Sequence, residues 1–116
     1  FCGVTGLRPT LGRVSKHGAF PRAWSFDTIG PMARSAEDAV LLLQSVAGPD
    51  PEDADTEAVP VPDYLSGLAR PIRGTRIGVP KGSYYTDIDG GIATLLEAAR
   101  AALVKLGAVL VELETR

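Results

Sequence analysis

Glycine and proline punctuate the first third of this chain so closely that no stable helix fits there. Gly3, Gly6, Gly12, Gly18 and Gly30, with Pro9, Pro21 and Pro31, interrupt every long window between Phe1 and Arg34. Proline removes a backbone donor and clashes with the preceding turn, and each interior glycine costs a helix about 1 kcal/mol relative to alanine. The segment must therefore consist of short extended pieces and ordered loops, with Val4–Thr10 and Ile29–Arg34 as the expected strand-like stretches.

At Ser35 the pattern changes. Ser35 can accept from the free N–H groups of a first helical turn, and Asp38, three residues on, can reciprocate as a shortened capping box. Ala36, Ala39, Val40, Leu43, Val46 and Ala47 recur at helical spacing, Leu41 and Leu42 widen the stripe, and Gly48-Pro49 ends it. A helix this apolar needs partners on more than one side.

Beyond an acidic, proline-bearing run, "GPDPEDADTEAVPVP" from Gly48 to Pro62, the sequence reads as strand, helix, strand. The strands are expected at Arg76–Pro80 and Ala108–Leu113, and the helix from about Gly90 to Leu106. Asp89 is its N-cap, Gly107 its left-handed terminator, and Ile92, Leu95, Leu96, Ala99, Leu103 and Leu106 its buried face. Such a unit makes a parallel crossover with the helix packed across the strands. The fold class is α/β, organised as residues 1–47, a solvated acidic connector over 48–62, and the strand–helix–strand unit over 63–116. Two strands do not make a stable sheet, so further strands must come from elsewhere in the chain, from another chain, or from a part of the protein outside this sequence.

Composition narrows the function. Twelve Lys and Arg against fourteen Asp and Glu leave a net charge of -2, which provides no basic field for a nucleic acid. One cysteine, Cys2, and one histidine, His17, cannot supply a soft-ligand metal set, and the acidic run lacks the ordered spacing of a calcium loop. No apolar run approaches the length of a membrane span, and phosphate-cradling glycine motifs and a GxSxG elbow are absent. The lone thiol suits a reducing cytoplasm and reads as a small buried hydrophobe. The His17 neighbours, Lys16 and Gly18, place it in an exposed turn.

Other residues carry two readings each. Trp24 and Phe26, near Phe20 and Pro21, either wall a substrate pocket or, more commonly, pack a loop onto a core. Tyr84-Tyr85 either gates a site or anchors a turn. Asp27, between Phe26 and Thr28, is either a turn carboxylate or an acid held charged by hydrogen bonds in an apolar setting. Residue types and spacings alone yield an α/β chain without a complete active site.

"FCGVTGLRPTLGRVS", followed by "DTIGPMARS" and "EDAVLLLQSVAG", resembles the segment of amidase-signature enzymes that directly follows their glycine- and serine-rich signature. The resemblance is close over Phe1–Thr56 and generic beyond. It implies an α/β/α fold with a mixed central sheet, incomplete in this chain. It also implies an enzyme that cleaves carboxamides with a serine nucleophile, a second serine and a lysine base, all of them upstream of the segment matching Phe1. No catalytic residue is then expected in this chain. Lys16, Lys81 and Lys105 do not fall at the family's lysine position.

The resemblance makes Phe1, Cys2 and Gly3 supports behind the nucleophile loop, with the nearby glycines placed where a Cβ would collide, and it makes Asp27 and Thr28 hydrogen-bonding scaffold residues. It implies no cofactor and no metal. As partners it implies the remainder of the same enzyme and a small carboxamide, with no direct nucleic-acid contact and no membrane. A chain carrying the segment alone is expected to be inactive and to self-associate. Within the family, the A subunits of glutamyl-tRNA amidotransferases usually carry Gln where this chain has Thr28, and an aromatic residue at Leu11. Those departures favour a general amidase, with the amidotransferase reading as the alternative and a non-enzymatic interaction module as the third.

Overall fold

The computed structural model describes residues 2–82 and 87–114. The chain separates into two compact units, Phe1–Ala69 and Arg70–Arg116. Their elements are β1 (Thr5–Gly6), β2 (Met32–Ala33), α1 (Ala36–Val46) and α2 (Tyr64–Leu68) in the first, and β3 (Arg76–Lys81), α3 (Gly90–Lys105) and β4 (Val109–Glu114) in the second.

In the first unit β1 and β2 pair antiparallel, Thr5 opposite Ala33 and Gly6 opposite Met32. The ladder continues by one bond, Leu7 N–H to the Pro31 carbonyl at 3.0 Å. Both strands are shorter than the sequence pattern implies, because Pro9 and Pro31 deprive the ladder of donors. Gly30 marks where the two segments run closest: a Cβ there would lie 2.0 Å from the Leu7 carbonyl oxygen.

α1 starts where the cap was expected. The Ser35 Oγ accepts from the Asp38 N–H at 3.0 Å. The reciprocal bond differs, since the Asp38 carboxylate accepts from the Ser35 hydroxyl at 2.8 Å. An aspartate is one methylene too short to serve as the Glu or Gln of a capping box. Ala39, Val40 and Leu43 are buried on one side of α1 and, with Val14, form the core of this unit. Leu41, Leu42 and Val46 point outward, about half exposed. Val14 bridges to Ala47, and Gly48 N–H donates to the Arg13 carbonyl at 3.0 Å, fixing the loop before residue 15 against the end of the helix. The short α2 is tethered by its Tyr64 N–H to the Gln44 side chain at 2.8 Å.

The second unit is the strand–helix–strand motif anticipated from the sequence. β3 and β4 run parallel in register from Arg76–Val109 to Lys81–Glu114. Asp89 caps α3 through the Gly91 and Ile92 N–H groups, and Gly107 follows the C-cap at φ 91°. The buried stripe is rotated from the expected one: Ala93, Leu96, Arg100 and Leu103 are half-buried, whereas Ile92, Leu95 and Leu106 are exposed. Two strands cover only part of a wide apolar helix face, and of this unit's described side chains only Ala108 is fully inside.

Candidate functional site

The expectation of a solvated connector is corrected by the loop from Asp50 to Thr56, which folds back on Ser15 and Lys16. The Ser15 hydroxyl donates to Asp50 Oδ2 at 2.6 Å and the Lys16 N–H to Asp53 Oδ2 at 2.6 Å. The Lys16 ammonium sits 2.7 Å from Asp55 Oδ2. Thr56 closes the loop from within, its Oγ1 accepting from the Asp50 N–H at 2.9 Å and donating to the Asp50 and Asp53 carbonyls. The approach is tight at Gly12, where φ is 77° and a Cβ would lie 2.1 Å from the Asp55 carbonyl oxygen. Only glycine combines that left-handed backbone with that contact.

The same lysine reaches across to the next turn. Its Nζ donates to the Trp24 carbonyl at 3.1 Å and lies 5.9 Å from the centre of the indole ring. Residues 22–27 form that turn around Asp27, whose Oδ2 accepts from the Arg22 N–H at 2.8 Å and the Ala23 N–H at 2.9 Å. Arg8 then ties the turn to the β1 side, donating to the Phe26 carbonyl at 2.9 Å and to Thr28 Oγ1 at 3.4 Å. Arg8 is a residue that the sequence reading missed. No periodic or motif signal in the sequence marks it, because its partners, the Phe26 carbonyl and Thr28 Oγ1, lie 18 and 20 residues away.

These bonds set the electrostatics. The N–H groups of Arg22 and Ala23 hold the Asp27 carboxyl below its ordinary value, with the Lys16 and Arg22 charges adding to the effect. Asp50 is lowered by the Ser15 hydroxyl and the Glu52 N–H, and Asp53 by the N–H groups of Lys16 and Asp55. The Lys16 ammonium is raised, chiefly by its hydrogen bond to Asp55 and then by the charges of Asp55, Asp53 and Asp27.

Between the two loops lies an open cavity of about 540 Å³, walled by Lys16, Phe20, Trp24, Thr28, Ile29 and Asp55 among others. That size falls in the range of small-molecule sites, roughly 300–1,000 Å³. Phe20 is 96% exposed and Trp24 74%, so these aromatics are not packed on a core as the commoner reading had it. They stand at the cavity rim. His17 lies in an exposed turn at the same cavity.

Asp27 and Thr28 are brought together here, while Cys2 and Gly3 lie before β1 and do not line the cavity. Cys2 is exposed, correcting the buried-thiol expectation. Gly3 adopts φ 63° with open space where its Cβ would be, so within this chain its role is conformational and not one of close approach. Phe1 and the Tyr84-Tyr85 pair lie outside the described residues. Among the described residues no group of three His, Cys, Asp or Glu side chains could hold a metal ion, and no helix is long and apolar enough to cross a membrane.

Comparison with known proteins places this arrangement. The family model described as Amidase matches residues 1–116. The chain is similar to the A subunit of the glutamyl-tRNA(Gln) amidotransferase of Carboxydothermus hydrogenoformans, 46% identical over 97% of this chain and 23% of the relative. The fold is similar to the crystal structure of the A subunit of the glutamyl-tRNA(Gln) amidotransferase from Thermotoga maritima, with a TM-score of 0.89 and 35% identity over 97% of this chain and 25% of that one. It is also similar to the peptide amidase of Stenotrophomonas maltophilia, with a TM-score of 0.78 and 38% identity over 97% and 23%. The chain thus spans about a quarter of the length of the relatives it matches.

Proposed function

The chain belongs to the amidase family, and from that premise we propose that it serves an enzyme hydrolysing a small carboxamide to a carboxylate and ammonia. Water supplies the oxygen that replaces the departing nitrogen. The observation that carries the reading is the match of the Amidase model over all 116 residues, with Thr28 at a cavity wall where the resembling amidotransferase subunits usually carry Gln. In this proposal the serine nucleophile, the second serine and the lysine base stand on a part of the protein preceding Phe1. The nucleophile is activated by the neutral base through the second serine, and backbone N–H groups collect the oxyanion charge.

This chain's own residues build the scaffold. Asp27 organises the turn over residues 22–27, Arg8 joins that turn to β1, and Phe1, Cys2 and Gly3 lead away from the nucleophile loop. The reaction is assigned to the cytoplasm and uses no cofactor. The 116 residues by themselves are inactive and self-associate through the exposed apolar side of α1 and the open edges of the strands near residues 77–79 and 109–111.

A second reading, the A subunit of a glutamyl-tRNA amidotransferase working with other subunits, is favoured by the names of relatives 46–50% identical to this chain. One experiment separates the two. The full reading frame containing this chain is expressed and purified, then assayed for ammonia release from simple aliphatic and aryl carboxamides and for glutamine-dependent amidation of glutamyl-tRNA. Release from the simple amides supports the first reading. Amidation that needs added subunits, without that release, replaces it with the second.

A further inference from the structure

We propose that Lys16 is a positioning residue that sets the shape of the cavity wall, and through it the size of the substrate substituent the site accepts; this rests on the carboxamide-hydrolase reading above. Three bonds converge on this residue from two loops that are remote in sequence. Its ammonium pairs with Asp55 at 2.7 Å and donates to the Trp24 carbonyl at 3.1 Å, while its backbone N–H is held by Asp53 at 2.6 Å. The side chain is only 14% exposed even though its surroundings are open, so the aliphatic stem is packed and the head is fixed.

Trp24 and Phe20 lie on the span that Lys16 begins, and neither is supported by a packed core in this chain. Within this chain Lys16 is what ties the Trp24 side of the rim to the acidic loop, through the Trp24 carbonyl on one side and Asp55 on the other. Because the rim is aromatic, the substituent it meets is an apolar or aromatic group of the amide's acyl or amine side. Lys16 does not touch the scissile bond in this account. Its loss should change how a bulky substrate is held and leave the chemical step alone.

The test uses the full-length protein labelled with 5-fluorotryptophan, the Trp24 resonance being the one that disappears in Trp24→Phe. Lys16→Met is expected to shift and broaden that resonance. It should raise KM for an aryl carboxamide by about threefold to fivefold, the range of one partly exposed ion pair, with kcat and the KM of the smallest aliphatic amide changed less than about twofold. Lys16→Arg, which keeps the cation, restores both readouts, and Glu57→Gln, on an exposed side chain, moves neither. Should Lys16→Met not fold, Asp55→Asn cuts the clasp from its other end and is read in the same way. An unmoved Trp24 resonance, or equal KM changes for the large and the small amide, overturns the proposal. If the unmodified protein turns over no carboxamide, the hydrolase reading falls, and the Trp24 resonance still decides whether the clasp holds the wall.

Discussion

The two units reach order by different means. Residues 70–116 follow a periodic pattern, strand, capped helix and strand, in which each element is specified by its own local sequence. Residues 1–69 contain one long helix, and the rest of that unit is held by polar side chains reaching across the chain: Ser15 to Asp50, Lys16 to Asp55, Arg8 to Thr28 and Asp27 to its own turn. The periodic unit has regular backbone but little interior, with Leu95 71% exposed. The clasped unit has irregular backbone and carries the cavity. A site can be built on loops when specific side chains replace the ladder that loops lack.

That contrast can be broken most forcefully at Gly12. Gly12→Ala puts a methyl group against the Asp55 carbonyl and imposes a left-handed backbone on alanine. A loss of about 3 kcal/mol or more is expected, read as loss of soluble protein or a large fall in Tm. An unaltered Tm would mean that the acidic loop does not sit where the clasp requires.

Next in size is Leu43→Ala in α1, which empties a buried position and should cost about 2–3 kcal/mol by denaturant unfolding. Leu95→Ala, on the exposed face of α3, should change the stability of the 116-residue chain by less than about 0.5 kcal/mol. Equal costs would show that α3 buries that face against something, self-association being the first candidate to test by sedimentation.

A smaller effect is expected from pH, confined to the clasped unit. Asp27, Asp50 and Asp53 are all lowered from their ordinary 3.8, so their contribution is complete above that value and is lost as pH falls through it toward the folded values. Lys16 is raised from 10.5, so its contribution is complete below 10.5 and is lost as pH climbs through the higher folded value. Trp24 is the chain's single tryptophan, and its fluorescence followed between pH 7 and 3 reads the acid limb. Smallest of all is Glu57→Ala, which should leave folding yield and turnover unchanged, whereas Asp27→Ala lowers one or the other. Matching small effects would reduce Asp27 to a solvated turn residue.

The same division decided what could be read from the sequence. Ser35, Asp89 and Gly107 announced both long helices because caps and terminators act within a few residues of where they stand. The parallel pairing of β3 with β4 followed from the strand–helix–strand order. The clasp was not legible, because Asp50, Asp53 and Asp55 look like any solvated acidic run until Ser15 and Lys16, nearly forty residues earlier, are placed beside them. Asp27 and Thr28, read from the sequence as hydrogen-bonding scaffold residues, line the cavity, whereas Arg8 was not singled out, since an exposed arginine has no periodic signature. The rotated stripe of α3 shows a further limit: Leu95 and Leu96 are both apolar, and only the surface against which the helix lies determines which one turns inward.

The central proposal is that this chain supplies scaffold and cavity wall to an amidase whose nucleophile stands elsewhere. The most direct measurement is covalent labelling of the full-length protein with a fluorophosphonate, which forms a stable bond to an activated serine, followed by mass mapping of the labelled peptide. The account predicts a single labelled serine in the segment preceding Phe1, with Ser15, Ser25, Ser35, Ser45, Ser66 and Ser83 unmodified. A stoichiometric label on any of those six, accompanied by loss of turnover, would contradict it.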